Sequence, residues 1–133
     1  MLADDALGTT REDARLPLAP GYTDAFAAIA ADPNQLLAVV EDAGEVVGTL
    51  QLTFIPGLSH QGAWRGQIEA VRIAASRRGQ GLGERLIGWA VEECRARGCL
   101  MVQLTTNLSR KDAHRFYERL GFRHSHAGYK LSL

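Results

Sequence analysis

Ile73-Ala-Ala-Ser-Arg-Arg-Gly-Gln-Gly-Leu-Gly83 is the stretch of sequence that decides the fold. An apolar run over residues 68–75 leads into it, and an amphipathic helix pattern follows it. The alternating glycines Gly79, Gly81 and Gly83 permit positive φ angles and a close approach to the backbone. Such a loop gathers N–H groups at a helix N-terminus, where the helix dipole favours an anion. The stretch predicts strand, loop and helix, and its glycines fit either a phosphate cradle or a tight turn.

The residues around the loop exclude the two common nucleotide-binding loops. No Gly-Lys-Ser or Gly-Lys-Thr is present, so the loop is not a P-loop. The spacing Gly79-x-Gly81-x-Gly83 also differs from the dinucleotide fingerprint, and no early βαβ unit carries it.

The spacing Arg78-x-x-Gly81-x-Gly83 resembles the acetyl-CoA signature of the GNAT superfamily of N-acyltransferases, Arg/Gln-x-x-Gly-x-Gly/Ala. Asn107 and the run from Ala113 to Phe122 resemble the second signature of that family, so the resemblance covers residues 36–133. It implies a single mixed α/β domain over residues 1–133, with a mostly antiparallel, twisted sheet flanked by helices. Its two central strands, here 66–75 and 100–106, are expected to splay apart around acyl-CoA.

The resemblance also implies how acetyl-CoA is held as co-substrate. The backbone of Val71, Arg72 and Ile73 is expected to pair with the pantetheine arm, as an added strand would. Asn107 is expected to contact the pantetheine or to order the site, although asparagine is also common in turns. The pyrophosphate is expected on the loop and the first helical turn, formed by Arg78, Gly79, Gln80, Gly81, Leu82, Gly83 and Glu84.

Two residues are candidates for proton transfer. Glu69 matches by position a glutamate that several family members use as general base toward the amine, although a strand glutamate can also be merely solvated. Tyr117 belongs to an apolar stripe and could simply be core. The resemblance makes its hydroxyl the general acid that protonates the thiolate of CoA.

The composition limits the other possibilities. The chain has 133 residues, enough for one domain, and its 15 basic residues balance 15 acidic ones, so nucleic acid or membrane is not expected as the main partner. Cys94 and Cys99 fit neither a disulfide framework nor a metal pattern, and the four histidines are scattered, so no metal is expected. No transmembrane run or secretory signal is recognised, which favours the cytoplasm.

The remaining elements follow from periodicity. Helices are predicted over 22–31, 83–97 and from Ser109 to Gly121, the last capped by Ser109 with Asp112. Strands are predicted at 36–41, 45–55, 122–126 and 129–133. Family members usually begin with a strand that residues 1–20 do not supply. The strand at 36–41 is therefore predicted to be an exposed edge, covered by residues 1–16 or by a homodimer partner.

Taken together, these features predict an acetyl-CoA-dependent N-acetyltransferase acting on a primary amine of a small molecule or peptide by direct attack in a ternary complex. The identity of the amine stays open. A CoA-binding sensor or partner subunit without catalysis is the main alternative, and a mixed α/β protein without a CoA site is the third.

Overall fold

The computed structural model describes residues 1–4 and 8–133. The sheet strands there are β1 Gln35–Asp42, β2 Glu45–Pro56, β3 Trp64–Ile73 and β4 Met101–Leu104. The helices are α1 Pro20–Ala31, the single turn α2 Ser59–Gly62, α3 Leu82–Ala96 and α4 Lys111–Arg119, and a 3-10 turn spans Ala75–Arg77. Two residues of α2, His60 and Gln61, have left-handed backbone angles.

The four strands form one sheet in the order β1-β2-β3-β4. The β1–β2 and β2–β3 pairs are antiparallel, whereas β3 and β4 are parallel and joined through α3. A parallel pair needs such a crossover helix, which is the role of the helix that begins at the glycine loop. The predicted mixed, mostly antiparallel sheet with flanking helices is confirmed.

The core lies between one face of the sheet and α3. Helix α3 contributes one apolar stripe with a helical period, as the sequence predicts. At Gly66 the helix comes so close to β3 that an added Cβ would overlap the Sγ of Cys94. The buried apolar residues of this cluster are Leu50, Leu52, Phe54, Ile68, Leu86, Ile87, Ala90 and Cys94.

A β-bulge interrupts β3 in the middle of the sheet. Gln51 of β2 pairs with Glu69, and Thr49 pairs with Arg72, so one intervening residue of β2 faces two of β3. Ala70, one of those two, has a φ of 52°. A bulge of this kind bends the strand and disrupts the local ladder.

The strands β3 and β4 separate beside this bulge. Their pairing runs from Arg65↔Met101 to Ile68↔Leu104, whereas β3 itself continues to Ile73. From residue 69 onward, no described strand pairs with β3 on the side toward β4. The predicted splayed pair is therefore present, and it opens toward the glycine loop.

Three sequence-based expectations need correction. Residues 122–126 and 129–133 are not strands. The N–H of Phe122 donates to the carbonyl of Tyr117 at 3.1 Å, just beyond the end of α4, and the other residues of these two segments form no backbone hydrogen bond within the described structure. A strand needs a partner, which a pattern of alternating side chains does not guarantee. Ser109 does not cap α4: its hydroxyl donates to Oδ1 of Asn107 at 2.7 Å, and Arg110 occupies the N-cap position. As expected, β1 is an edge of the described sheet.

Candidate functional site

The glycine loop has the backbone geometry that the sequence predicts. Gly79 and Gly81 have φ angles of 75° and 76°, and Gly81 is the N-cap of α3. At the start of the helix, the N–H of Arg85 donates to the carbonyl of Gly81 at 3.1 Å. The amides of residues 82–84 precede it and, as in any first helical turn, have no carbonyl acceptor within the helix. Space is open around a Cβ built at Gly79 or Gly81, so an anion can reach the loop.

The two arginines beside the loop have different roles. The guanidinium of Arg77 forms an ion pair with Asp42 at 2.9 Å, which ties the 3-10 turn to the β1–β2 hairpin. The Nε of Arg78 donates to the carbonyl of Ile73 at 3.2 Å, and its side chain is exposed. Arg78 is therefore the loop cation that faces solvent at the end of β3.

The last part of β3 offers its backbone to the cleft. Val71 and Ile73 pack against the core, so Arg72 lies on the opposite face of the strand. One guanidinium nitrogen of Arg72 donates to the carbonyl of Val71 at 2.8 Å. Because β4 has already turned away, Val71–Ile73 can accept an extended ligand along this edge.

Glu69 and Arg72 lie on the same face of the sheet. Their β2 partners, Gln51 and Thr49, are two positions apart and therefore point to the same side. The Glu69 side chain is exposed, and it forms no ion pair with any residue that the structure describes. The bulge thus places Glu69 and Arg72 on the same face of the sheet beside the cleft.

This face of the sheet is polar well beyond those two residues. Gln51 donates to Oε1 of Gln35 at 2.8 Å, and Gln103 of β4 donates to Oε1 of Gln67 at 2.7 Å. Sequence reasoning did not single out this surface, although the alternation of polar residues along β2 and β3 is its signal. We call the surface formed by Gln35, Thr49, Gln51, Thr53, Gln67, Glu69, Arg72 and Gln103 the polar face.

Tyr117 is held by aromatic contacts on α4. Its ring packs edge-on against Phe116 at 5.1 Å and Phe122 at 5.9 Å between centroids. Burial raises the pKa of the phenol above its usual value, while the positive charges of Arg110 and Arg72 act in the opposite direction. No residue in the described part of the chain forms a hydrogen bond with its hydroxyl. The phenol is therefore neutral at pH 7 and lies within electrostatic reach of Arg72.

Asn107 stabilises the turn that precedes α4. Its Oδ1 accepts hydrogen bonds from the backbone N–H of Ser109 at 2.9 Å and from the Ser109 hydroxyl. Its carbonyl accepts from the N–H of Arg110 at 3.0 Å. Only the side-chain NH₂ group is then suited to donate to a ligand, so contact with pantetheine stays a prediction.

The cysteines are not arranged as nucleophiles. Burial raises the pKa of the Cys94 thiol to about 11, and it also raises that of Cys99. A thiol attacks as the thiolate, which these pKa values disfavour at neutral pH. Within residues 1–4 and 8–133, no three His, Cys, Asp or Glu side chains are grouped as metal ligands would be.

The loop, the open strand edge and α4 together define a class of protein. A sequence profile of the Acetyltransferase (GNAT) family matches residues 5–122, and the chain belongs to this family. None of the helices in the described ranges has the length and apolar content needed to cross a membrane.

Two relatives of this chain have names that state an enzymatic activity. The chain is 39% identical over 112 residues to aminoalkylphosphonate N-acetyltransferase from Salmonella typhimurium, covering 84% of this chain and 72% of that one. It is 37% identical over 90 residues to glucosamine 6-phosphate N-acetyltransferase from Trypanosoma brucei brucei, covering 68% of this chain and 59% of that one. The protein is thus an N-acetyltransferase.

A solved structure from Bacillus halodurans C-125, described as a transcriptional regulator, has a very similar fold. It superposes with a TM-score of 0.97 at 50% identity, covering 100% of this chain and 89% of that one. Residues 123–133 therefore lie within the matched region.

Proposed function

We propose that this N-acetyltransferase takes its acetyl group from acetyl-CoA and transfers it directly to the primary amine of a small molecule. The observation that carries the proposal is the end of β3–β4 pairing at Ile68 and Leu104. The cleft that opens there leads to the glycine loop at the start of α3. One continuous path therefore joins a strand edge suited to a pantetheine arm with a helix N-terminus suited to a pyrophosphate.

The residues present fit this co-substrate. The amides of residues 82–84 and the exposed Arg78 are the groups proposed to hold the pyrophosphate, with Gly79, Gln80 and Gly81 forming the loop backbone. The edge at 71–73 is proposed to hold the pantetheine, with Asn107 on the β4 side. Acetyl-CoA supplies an activated acetyl thioester, and a β3 amide is proposed as donor to its carbonyl oxygen.

Glu69 and Tyr117 are proposed to move the protons. An exposed carboxylate on the polar face can accept a proton from the incoming ammonium group, directly or through water. A neutral phenol can donate a proton to a departing thiolate, and the raised pKa of Tyr117 keeps that proton in place at neutral pH.

For the acceptor, we propose a small amine that carries a phosphate or phosphonate group. Two observations support this class. Both relatives at 39% and 37% identity have names that specify a phosphorus-containing amine. The polar face also carries Arg72 on the same side of the sheet as Glu69, and arginine suits the geometry of phosphorus oxyanions. The anionic group would then bind Arg72 while the amine points toward Glu69.

A paired-substrate assay tests this proposal. Thiol release from acetyl-CoA is measured with 2-aminoethylphosphonate against propylamine, and with glucosamine 6-phosphate against glucosamine. The proposal expects a kcat/KM higher for the phosphorus-containing member of at least one pair by about 10- to 100-fold, the range of one charge-assisted hydrogen bond. Equal rates within both pairs would refute the acceptor class but leave acyl transfer itself standing.

Substitution of Arg72 tests whether this residue causes the preference for phosphorus-containing amines. Arg72→Gln is expected to raise KM for the phosphorus-containing amine by about 10-fold or more and to leave the neutral analogue unchanged. Arg72→Lys should recover part of the preference. Arg115→Gln is the matched control, because Arg115 is an exposed arginine that pairs with Asp112 on α4. The same loss in Arg115→Gln would indicate a general charge effect and contradict a role for Arg72.

A CoA-binding sensor or partner subunit is the alternative that the sequence leaves open, and the Bacillus halodurans relative is described as a transcriptional regulator. CoA binding without thiol release across a broad amine panel would support it. Cytoplasmic location and the lack of a nucleic-acid partner stay predictions from the composition.

A further inference from the structure

Arg110 occupies a position where a cation is unfavourable for its helix. It is the N-cap of α4, with φ −83° and ψ 67°. Small polar residues that can accept a hydrogen bond from the first helical N–H groups are preferred at this position. The positive end of the helix dipole also favours anions there rather than cations. The stability of α4 therefore does not explain this arginine.

The burial and the position of Arg110 relate it to Tyr117. Arg110 is half-buried, whereas Arg115 and Arg119 on the same helix are exposed. Tyr117 follows Arg110 by seven residues, which is about two helical turns and places both on one face of α4. Ala113, with its small side chain, lies between them on that face. Because side chains lean toward the N-terminus of a helix, the ring of Tyr117 extends over Ala113 toward Arg110.

Two positive charges act on the phenol of Tyr117. Burial raises its pKa, whereas Arg110 on its own helix and Arg72 on β3 lower it, and Arg110 has the larger effect of the two. The other contacts of the ring are apolar, namely Phe116, Phe122 and the core cluster. Within the described residues, these two guanidinium groups are the charges that can stabilise a phenolate at this position.

The proposed proton transfer to CoA creates a need for such a charge. The ordinary pKa of a phenol is about 10 and that of a thiol about 8.5, so a thiolate does not readily take a proton from a phenol. Burial of Tyr117 increases this mismatch, because it disfavours the charged phenolate. A guanidinium beside the phenol oxygen acts in the opposite direction, since it stabilises the phenolate that the transfer leaves behind.

We propose that Arg110 makes Tyr117 an effective proton donor to the departing CoA thiolate by holding its positive charge beside the phenol oxygen. Tyr117 gives its proton to sulfur as the carbon–sulfur bond breaks and the electron pair of that bond moves to sulfur. The free thiol and a phenolate beside Arg110 result. The phenolate regains a proton from the solvent, which takes up the proton that the amine loses. Arg110 acts through Tyr117 and is thus a positioning residue, and its role depends on the proposed transfer from acetyl-CoA.

NMR of protein labelled with carbon-13 at the tyrosine Cζ follows the ionisation of Tyr117 without any substrate. The chain has three tyrosines, and the signal of Tyr117 is the one that Tyr117→Phe removes. Arg110→Gln is expected to raise the pKa of Tyr117, and Arg110→Lys should restore part of the difference. Lys111→Gln is the matched control, because it removes the same charge one position along the chain, at an exposed residue, and should leave that pKa unchanged.

Two results of this titration would overturn the proposal. One is a pKa of Tyr117 that stays the same or falls in Arg110→Gln. The other is a wild-type Tyr117 that remains neutral until the protein unfolds, because Arg110 would then not stabilise the phenolate.

A double-mutant cycle tests the same role during turnover, with the amine that the paired-substrate assay identifies. Arg110→Gln is expected to lower kcat by about 10-fold or more and to leave KM for the amine unchanged. Its melting temperature should not fall, because a cation is removed from a helix N-terminus. In the Tyr117→Phe background, Arg110→Gln should have no further effect on kcat.

The outcomes of the cycle separate the possible roles. An equal loss of kcat in the Tyr117→Phe background would show that Arg110 does not act through Tyr117, and would overturn the proposal. So would a rise in KM confined to phosphorus-containing amines, because Arg110 would then bind the acceptor. A wild-type kcat in Tyr117→Phe alone would instead refute the proposed general acid, and the titration of Tyr117 does not depend on that result.

Discussion

Replacing Gly81 by valine tests the proposed donor site through backbone geometry. Gly81 is the N-cap of α3 with φ 76° and ψ −2°, and space is open around a Cβ built there. A β-branched residue held at such a φ costs about 1–2 kcal/mol. That cost corresponds to a lower melting temperature by about 4 °C per kcal/mol for a domain of this size.

The same substitution should weaken CoA binding separately from stability. The added methyl groups would occupy the space through which the pyrophosphate approaches the loop amides. We expect the Kd for CoA to rise by about 10-fold or more, which is about 1.4 kcal/mol. Isothermal titration calorimetry on folded protein measures this Kd directly.

Gly98→Val is the matched control. Gly98 has a φ of 72°, also has open space around a built Cβ, and lies just beyond the other end of α3. The two glycines are about 25 Å apart along the helix. Gly98→Val should lower the melting temperature by a similar amount and leave the Kd for CoA unchanged. If folded Gly81→Val binds CoA as tightly as the wild type, the loop does not hold the pyrophosphate.

Four further predictions concern the proposed catalytic residues and the core. Tyr117→Phe should lower kcat by about 100-fold with CoA affinity and stability nearly unchanged, and a wild-type rate with chemistry shown to be rate-limiting would make Tyr117 a core residue. Glu69→Gln should slow the reaction most at low pH, where the amine is mostly protonated, and an equal loss at every pH would make Glu69 a positioning residue. Gly66→Ala should destabilise the fold by about 1–3 kcal/mol in urea unfolding, because its Cβ would overlap the Sγ of Cys94. Adding Cys94→Ala should recover part of this loss of stability. If nothing is recovered, that contact is not the cause. The raised pKa of Cys94 means that the folded state favours the neutral thiol. The stability that this gives is fully present below pH 9.0 and is lost as the pH rises through about 11. Cys94→Ala should therefore lose less stability than the wild type over that range.

The elements with strong local signals could be predicted from the sequence. The helix predicted over 83–97 is Leu82–Ala96, and the strand predicted over 66–75 is Trp64–Ile73. The backbone at Gly79 and Gly81 has positive φ angles that few residues other than glycine adopt, so the glycine pattern predicts the loop geometry. The same pattern is the basis for placing the donor site at this loop, which stays a prediction.

Features that depend on tertiary contacts could not be predicted. The bulge has an alanine, Ala70, at a φ of 52°, and alanine gives no local turn signal. Arg72 was expected to contribute only its backbone, because its neighbourhood on the polar face depends on the bulge and on the pairing register. The segment 129–133 has the alternation of a strand, but a strand forms only where a neighbouring edge pairs with it, and the local sequence does not determine that.

A crystal structure of the complex with CoA would test the central claim most directly. We predict density for the pyrophosphate at the amides of residues 78–84 and for the pantetheine along Val71–Ile73, between β3 and β4. The thiol should end between Glu69 and Tyr117. CoA bound elsewhere, or β3 and β4 paired beyond Ile68 and Leu104 in the complex, would contradict the proposed site.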